Sequence, residues 1–541
     1  MPKFRNKALA ERLANTQPKE NLVAAIAVPK PDTKNLQGNS AYKVDNFLQL
    51  LSMLNTLKLE PQFYRSETEQ LNKLRTLVNA CVKEDLYLTA QCIVYSRCVG
   101  EGMRSINHAA ATFLAAHLSG KEWSRRFYNV WDKKSKSGGT IYRPDDISEI
   151  VACFTMLNSK SITNAMKKGF KSALESMDTY SLLKYKAVLL DVINLVHPEP
   201  NKSKAFVNYE GKKVSVFEAI IKGYNVSADT WEVAQSDAGQ EVAKAVKAGK
   251  ITKTEAVTVL KEAKADNWAG LLSDNKLGIL AAVRNIRNIL STVTDTKTID
   301  LLCKLLSDGA LIKAGKVMPY QIDMAVEVVN AEFNTTASRK VQQALLAGYE
   351  SSLPNLAELL VGENLVIIDM SDSMGVRIAD PNRKLTYKSS CLDKASLIGA
   401  TIAKATNSDI IRFGSTAEYI KYNANTDVFS LSKSVRKDMG MTNLASAWQL
   451  AARSGKKYTR VFILSDNECN RGSVYNSYKD YLSKAGSPYV YSVDMAAYGT
   501  QAIAGPNVRF YYGFGNAMFE DIATSEFNPS YHLDKVRKIV I

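Results

Sequence analysis

Four consecutive aliphatic residues, Leu365-Val366-Ile367-Ile368, run directly into Asp369-Met370-Ser371-Asp372-Ser373. An unbroken apolar run of this kind reads as a strand buried on both faces, as in parallel sheets covered by helices. The polar cluster then falls where the strand ends. Open α/β sheets place their ligands beyond the carboxyl ends of their strands. One carboxylate and two hydroxyls make an all-oxygen set, which suits a hard divalent cation.

The residues after Pro354 repeat this pattern. Apolar runs at Leu365–Ile368, Ile410–Phe413, Val461–Leu464, Tyr489–Val493 and Val508–Tyr512 alternate with helical stretches at Lys394–Thr406 and Asn443–Ser454. Such alternation predicts βαβ units and a doubly wound parallel sheet. Gly440-Met441-Thr442-Asn443 opens one of these helices, so Thr442 can reach a cation at the sheet edge. Asp466 follows the run that ends at Leu464 and lies at another strand's carboxyl end. The order Asp-x-Ser-x-Ser, then Thr, then Asp resembles the metal-ion-dependent adhesion site of von Willebrand factor A domains. That resemblance gives metal-ligand roles to Asp369, Ser371, Ser373, Thr442 and Asp466. Mg²⁺ is the expected ion, with Mn²⁺ and Ca²⁺ as alternatives, and the ion would offer an open position to a carboxylate of an acidic protein ligand. A haloacid-dehalogenase-type phosphatase would carry a second Asp where Ser371 stands, and no GxxxxGK[ST] loop is present. An enzyme is therefore not expected.

The preceding three hundred residues have a different rhythm. Phe47, Leu50, Leu51, Leu54 and Leu57 recur at helical spacing, as do Leu71, Leu74, Leu77, Val78 and Cys81, and later Leu277, Leu280, Val283, Ile286 and Ile289. Short amphipathic helices in succession predict an α-solenoid of paired helices from about Tyr42 to Glu350. The expected layout is a multidomain chain: an N-terminal arm at 1–37, an all-α HEAT-like repeat region at 38–355, and the α/β domain at 356–541. The formal charge is +16, most of it before Val361, which suggests a polyanionic partner. The seven cysteines are scattered, without a CxxC, and read as reduced thiols. No apolar run reaches membrane-spanning length, and the first residues lack the apolar core of a secretory signal, so a cytoplasmic protein is expected.

A helical array followed by an A-type domain, with several ordered short motifs, resembles the sixty-kilodalton Ro autoantigen family of TROVE-module proteins from about residue 38 onward. The motifs are Gly100-Glu101-Gly102-Met103-Arg104-Ser105, Trp268 with Ala282-Val283-Arg284-Asn285-Ile286, Met318-Pro319-Tyr320-Gln321-Ile322, the Asp369 segment, and Ser465-Asp466-Asn467-Glu468. The resemblance implies a ring of HEAT-like helical pairs whose ends the A domain joins. It also implies binding of small structured Y RNAs outside the ring, binding of single-stranded 3′ ends of defective RNAs in the hole, and an exoribonuclease tethered through RNA.

Lys and Arg along such a ring would hold phosphates without reading sequence. The candidate RNA-binding residues are Lys121, Arg125, Arg126, Lys133, Lys134, Lys136, Arg143, Lys160, Lys167, Lys168, Lys171, Lys184, Lys186 and Arg284. Tyr128, Tyr142 and Tyr185 are candidates for stacking on unpaired bases. Trp268 and Tyr320 read as core, and His108 and His197 as packing or hydrogen-bonding residues. Lys184-Tyr185-Lys186 resembles a segment near the family's Y RNA surface. Here Ala187-Val188-Leu189-Leu190-Asp191 follows directly, about four residues shorter than the family pattern, and the family's histidine has no counterpart. The expected function is a ribonucleoprotein component that holds Y-like and misfolded RNAs in RNA quality control. The alternative is a metal-dependent protein-interaction scaffold.

Overall fold

The computed structural model describes residues 28–541 apart from 58, 60–61, 159–160, 227–230, 354–355, 376–389, 514, 527 and 529. The chain forms two compact units. One holds the helices from Leu74 to Val317 and Gln321 to Ser352, and takes back the last residues, Val536–Ile541. The other holds the described residues up to Lys73, then Met318–Tyr320 and Leu353–Lys535. The linear boundaries expected at 37 and 355 therefore do not match the compact units.

The helical unit is built from pairs of short helices. They include α1 (Ser105–Leu114), α2 (Pro144–Asn158), α3 (Asn164–Ser176), α4 (Lys186–Val196), α5 (Lys253–Ser273), α6 (Thr296–Leu306) and α7 (Thr336–Ser352). Helices separated by one or more intervening elements pack together: α2 lies against α1 and α4, and α6 against α7. Many helices start at a side-chain cap that satisfies the open N–H groups of the first turn. Thr163 caps α3, and Asp295 caps α6. Helix contacts can be very close where glycine removes the side chain. A Cβ at Gly348 on α7 would lie 2.0 Å from the Leu306 carbonyl at the end of α6.

The region is not helical throughout, as the periodicity suggested. Phe206–Tyr209 and Lys212–Ser215 form a hairpin, and Trp131–Asp132 pairs with Ser137–Gly138. The turn of the first hairpin has Glu210 at φ 49° and Gly211 at φ 78°, the two left-handed residues that a tight hairpin turn requires. A long-range tie also crosses this unit. Lys316 Nζ donates to the carbonyls of Cys98, Val99 and Gly100 at 2.9, 3.0 and 2.9 Å. These carbonyls end the single π-helical turn Tyr95–Val99, where the helix's own bonds run out.

The other unit centres on a six-stranded sheet of β1 (Asn364–Asp369), β2 (Asp409–Phe413), β3 (Ala417–Ile420), β4 (Arg460–Ser465), β5 (Tyr489–Asp494) and β6 (Val508–Tyr512), ordered β6-β5-β4-β1-β2-β3. All pairs are parallel except β2 with the edge strand β3. Every residue of β1 and β4 is buried. Side chains alternate between the faces. Leu365 and Ile367 join Val461 and Ile463 in a cluster with Trp448 of α9 (Leu444–Ser454) and Tyr478 and Tyr481 of α10 (Val474–Ala485). On the opposite face, Ile368 and Leu464 pack on Gly399 of α8 (Cys391–Thr406). Burial on both faces is why these strands read as continuous apolar runs.

The segment before Lys73 belongs to this unit because its apolar face covers the sheet edge. Helix Asn46–Thr56 buries Phe47, Leu50, Leu51 and Leu54 and contacts β6. Thr56 Oγ1 accepts from Gly513 N at 3.2 Å, and Ser52 Oγ donates to Asp494 at 2.9 Å. Strand Ser40–Lys43 pairs with Thr33–Lys34 on one side and Thr500–Gln501 on the other. Helical periodicity shows that the helix has an apolar face, not which partner covers it. Trp268 and Tyr320 are buried, as expected, and none of the seven cysteines is in a disulfide.

Candidate metal centre and nucleic-acid surface

Three loops meet at the carboxyl edge of the sheet. Met370 N donates to Phe413 O at 2.7 Å, Met439 N to Met370 O at 3.1 Å, and Asp372 N to Gly440 O at 2.9 Å. The first bond ties the loop after β1 to the end of β2, and the other two tie it to the loop before α9. Thr442 O accepts from Asn470 N at 3.0 Å, and Thr442 N donates to Asn470 Oδ1 at 3.1 Å. The second loop is thereby tied to the one after β4. Asn443 caps α9 and sets where Thr442 stands.

The carboxylates here lie deep. Asp369 is 0 % exposed, Asp466 and Thr442 1 %, and Ser371 2 %. Asp369 accepts from Ser371 N at 2.9 Å through one oxygen and from Ser465 Oγ at 2.5 Å through the other. The Ser371 and Ser373 hydroxyls are 3.3 Å apart, and Ser373 hydrogen-bonds toward Asp466. Asp466 Oδ1 accepts from Glu468 N at 3.1 Å, while its buried Oδ2 has no partner among the described residues. Burial, and then the neighbouring Asp466, push Asp369 up to about 7, and burial raises Asp466 too. Two buried carboxyls in one centre disfavour each other's charge, and a cation between them would relieve that.

These residues fit a hard divalent ion. Asp466 Oδ2 is an acceptor without a donor, and the set is two carboxylates with serine and threonine hydroxyls. Among the described residues no group of three His, Cys, Asp or Glu could hold a metal, so hydroxyls would have to complete any coordination. The five residues named from sequence therefore sit on the three loops joined here.

Sequence reasoning missed two further acids. Burial and Asp466 push Glu468 up to about 7, and burial pushes Asp494 up to about 6. Asp494 ends β5 just as Asp369 ends β1, so the same rule applied to the run Tyr489–Val493 finds it. Arg65, reached from the N-terminal segment, faces both Glu468 and Asp494. Nothing in its local sequence signals this.

On the helical unit, several of the basic candidates converge. Helix Ser124–Phe127, with Arg125 and Arg126, packs on α3, which carries Lys167, Lys168 and Lys171. Gly169 allows this contact, since a Cβ there would lie 2.7 Å from the Arg125 carbonyl. α4, which starts at Lys186, contacts both α2 and α3. Lys121, Arg125, Arg126, Lys133, Lys134, Lys136, Lys168 and Lys184 are exposed. Lys133 Nζ lies 4.6 Å from the Tyr142 ring centre, and Arg143 lies 5.3 Å from that of Tyr185. Some of the candidates have internal partners, among them Lys171 with Glu199 at 2.6 Å, Arg143 with Asp145, and Lys186 with the Val226 carbonyl. Tyr128 is fully buried between Phe127 and Phe170, so it cannot stack on a base. Arg284 is exposed but on helix Ile279–Arg284, whose neighbours are α6 and helices Ile286–Thr292 and Gly309–Ala314. Lys160 lies outside the described residues.

The same unit holds a buried ionic network that the sequence did not show. Asp146 is 0 % exposed and accepts from Arg97 Nη2 at 2.7 and 2.8 Å and from the Tyr142 and Arg143 amides at 2.9 and 3.0 Å. His108, 2 % exposed, places Nε2 3.2 Å from Asp146 and Nδ1 2.7 Å from Glu149. His108 is thus a hydrogen-bonding residue, with acid partners far away in sequence. His197 is exposed and ends α4 in the left-handed conformation.

By fold, then, this is a chain that couples a unit of short helix pairs to a six-stranded, largely parallel sheet with an acidic, hydroxyl-rich centre at its carboxyl edge. The crystal structure of the Ro (RSR) protein of Deinococcus radiodurans has this fold. It aligns over 89 % of this chain and 100 % of that one, with a TM-score of 0.53 and 15 % identity. No family profile matches the sequence, and no curated protein does. The fold expected from the ordered motifs is therefore that of a Ro protein.

Proposed function

We propose that this protein is a non-catalytic RNA-holding component that retains structured, Y-like or misfolded RNA on its helical unit in RNA quality control. The observation that carries this is the convergence of Arg125, Arg126, Lys167 and Lys168 on packed neighbouring helices, in a chain with the fold of a Ro protein. Exposed cations spaced along helices bind phosphates and give strongly salt-dependent affinity. Tyr142 and Tyr185 supply aromatic faces beside cations, a combination suited to unpaired bases.

The sheet unit would hold Mg²⁺ through Asp369, Ser371, Ser373, Thr442 and Asp466, with Mn²⁺ or Ca²⁺ as substitutes. The bound ion would supply a positive charge and a position for an anionic ligand. Asp369 and Asp466 would hold it by charge, and the Ser465 hydroxyl and Ser371 amide keep Asp369 oriented. The orphaned Asp466 Oδ2 supports a protein-docking role for this unit, with an acidic partner protein as the second ligand class. An exoribonuclease recruited through the RNA would complete a decay assembly in the cytoplasm.

The deciding experiment is equilibrium binding over a salt series of a blunt RNA duplex and the same duplex with a single-stranded 3′ tail. Tighter, steeply salt-dependent binding of the tailed RNA is expected. Equal, weak binding of both would leave only the protein-scaffold role. Asp369→Asn should abolish Mn²⁺ binding to the sheet unit without changing RNA affinity.

A further inference from the structure

The candidate metal centre is not built by the sheet and its loops alone. The segment Gln62–Arg65 is bonded to the loop after β5, at the same carboxyl edge of the sheet. Gln62 Nε2 donates to Ala496 O at 3.1 Å, and Arg65 Nη2 to Tyr498 O at 2.7 Å. Both carbonyls belong to the loop after β5, which Asp494 shapes by accepting from Ala496 N at 3.2 Å and Ala497 N at 2.9 Å. Ala497 takes φ 56° there, a left-handed conformation that costs an alanine energy and persists only where surrounding bonds impose it. Between the two anchors, the Tyr64 ring packs edge-on against Tyr498 with centroids 5.4 Å apart and against Phe63 at 4.7 Å. Its hydroxyl hydrogen-bonds Ser373 and faces Asp466, Glu468 and Asp369.

This arrangement is specific to the side of the centre that the sheet leaves open. Asp369 is closed off from beneath by Ser465, and the backbone of loops 370–372 and 439–442 is internally bonded. Ser373, half-buried, is the outward member of the Asp-x-Ser-x-Ser segment, and Tyr64 meets it there. A phenol is a neutral group with one donor and an acceptor oxygen. It can occupy the outward position but brings no charge to a cation.

We propose that Tyr64 is an intramolecular stand-in for the anionic ligand of this centre, and that an incoming carboxylate side chain must displace it to reach the cation. The proposal rests on the assignment of a divalent-cation site above. The ligand class is a carboxylate, because the centre would be left with an unsatisfied cation once the phenol leaves, and a carboxylate supplies both charge and oxygen donors. The strap Gln62–Arg65 sets the threshold: ligands that cannot outcompete one phenol hydrogen bond and its ring contacts are excluded.

The test uses the full-length chain, Mn²⁺ as the metal probe and acetate as the carboxylate. Mn²⁺ binding is followed by water-proton relaxation and acetate binding by its line broadening. In the Mn²⁺-loaded protein, Tyr64→Ala should strengthen acetate binding by roughly tenfold, equivalent to about 1.4 kcal/mol, and raise the relaxation enhancement by admitting water. Tyr64→Phe keeps the ring over Tyr498 and removes only the hydroxyl, so a smaller gain in the same direction is expected. It also decides the question if the alanine variant misfolds. Mn²⁺ bound equally by all three proteins with unchanged acetate affinity and relaxation overturns the stand-in role alone. Failure of the wild-type chain and of Tyr64→Ala to bind Mn²⁺, with Asp369→Asn indistinguishable, overturns the metal assignment and this proposal with it.

Discussion

Replacing Asp146 with asparagine keeps the side-chain shape and removes its charge from the centre of the helical unit's ionic network. Arg97 is only 4 % exposed and directs Nη2 to both Asp146 oxygens. The amides of Tyr142 and Arg143 end on the same carboxylate. Burial pushes the Asp146 carboxyl up, but His108 and Arg97 outweigh it and hold it well below the usual carboxylate range. In Asp146→Asn the guanidinium stays buried with half its partner gone, and an amide NH₂ faces Arg97 or the two backbone donors. Breaking a buried ion pair from one side costs about 3–5 kcal/mol, mostly the penalty of the stranded charge. A domain of this size shifts by about 2–4 °C per kcal/mol, so the melting transition should fall on the order of 10 °C. Calorimetry measures the fall. Hydrogen exchange locates it, with protection lost first in α1 and α2, which carry His108 and Asp146. A shift under about 2 °C would mean that water or a rotated Arg97 already compensates the charge, and the network would carry no structural weight.

His108 makes stability depend on pH. Burial disfavours its charge, but Asp146 and Glu149 outweigh this and raise its pKa above 6.5. The stabilisation is therefore complete below pH 6.5 and lost as pH climbs through the raised value; melts from about pH 6 to about pH 9 should show this decline in the wild type and not in His108→Gln. Gly348→Ala and Gly270→Ala should move stability in opposite directions. The first drives a Cβ into the Leu306 carbonyl and should cost several kcal/mol; the second, exposed on α5 with nothing within 4 Å, should gain about 0.5–1 kcal/mol in denaturant titrations. Neutralising Lys167 and Lys168 together should reduce the slope of log affinity against log salt for RNA by roughly 1.4–1.8, and an unchanged slope would remove α3 from the contact surface.

The sheet was legible because its strands are buried on both faces. Leu365–Ile368 and Val461–Leu464 are apolar at every position, and an acid follows each at the carboxyl edge, so the strands and the placement of the candidate residues at their ends were read together. Asn443–Ser454 was readable as a helix, with Asn443 as its cap. The antiparallel edge strand β3 was missed: its residues are all half-buried, and Ala417-Glu418-Tyr419-Ile420 carries no continuous apolar signal. The hairpin at Phe206–Ser215 was lost for a similar reason, a short strand pair mostly of half-buried and exposed residues inside a helical region.

The sequence by itself determined the five strands that read as continuous apolar runs and the helices between them, that the chain is basic, and that five oxygen-bearing residues fall on loops at one sheet's carboxyl edge. Periodicity and end signals are local, and local chemistry suffices for those. Only the tertiary structure decided that helix Asn46–Thr56 serves the sheet rather than the helical array, that Lys171, Arg143 and Lys186 have internal partners, and that Arg97, His108 and Asp146 share one buried network. It also brought Tyr64 and Arg65 to acids some three to four hundred residues later in the chain. The physical reason is the same in each case. An amphipathic face or a charge specifies what kind of surroundings it requires, while the identity of the partner depends on which distant segments the chain's packing brings within a few ångströms.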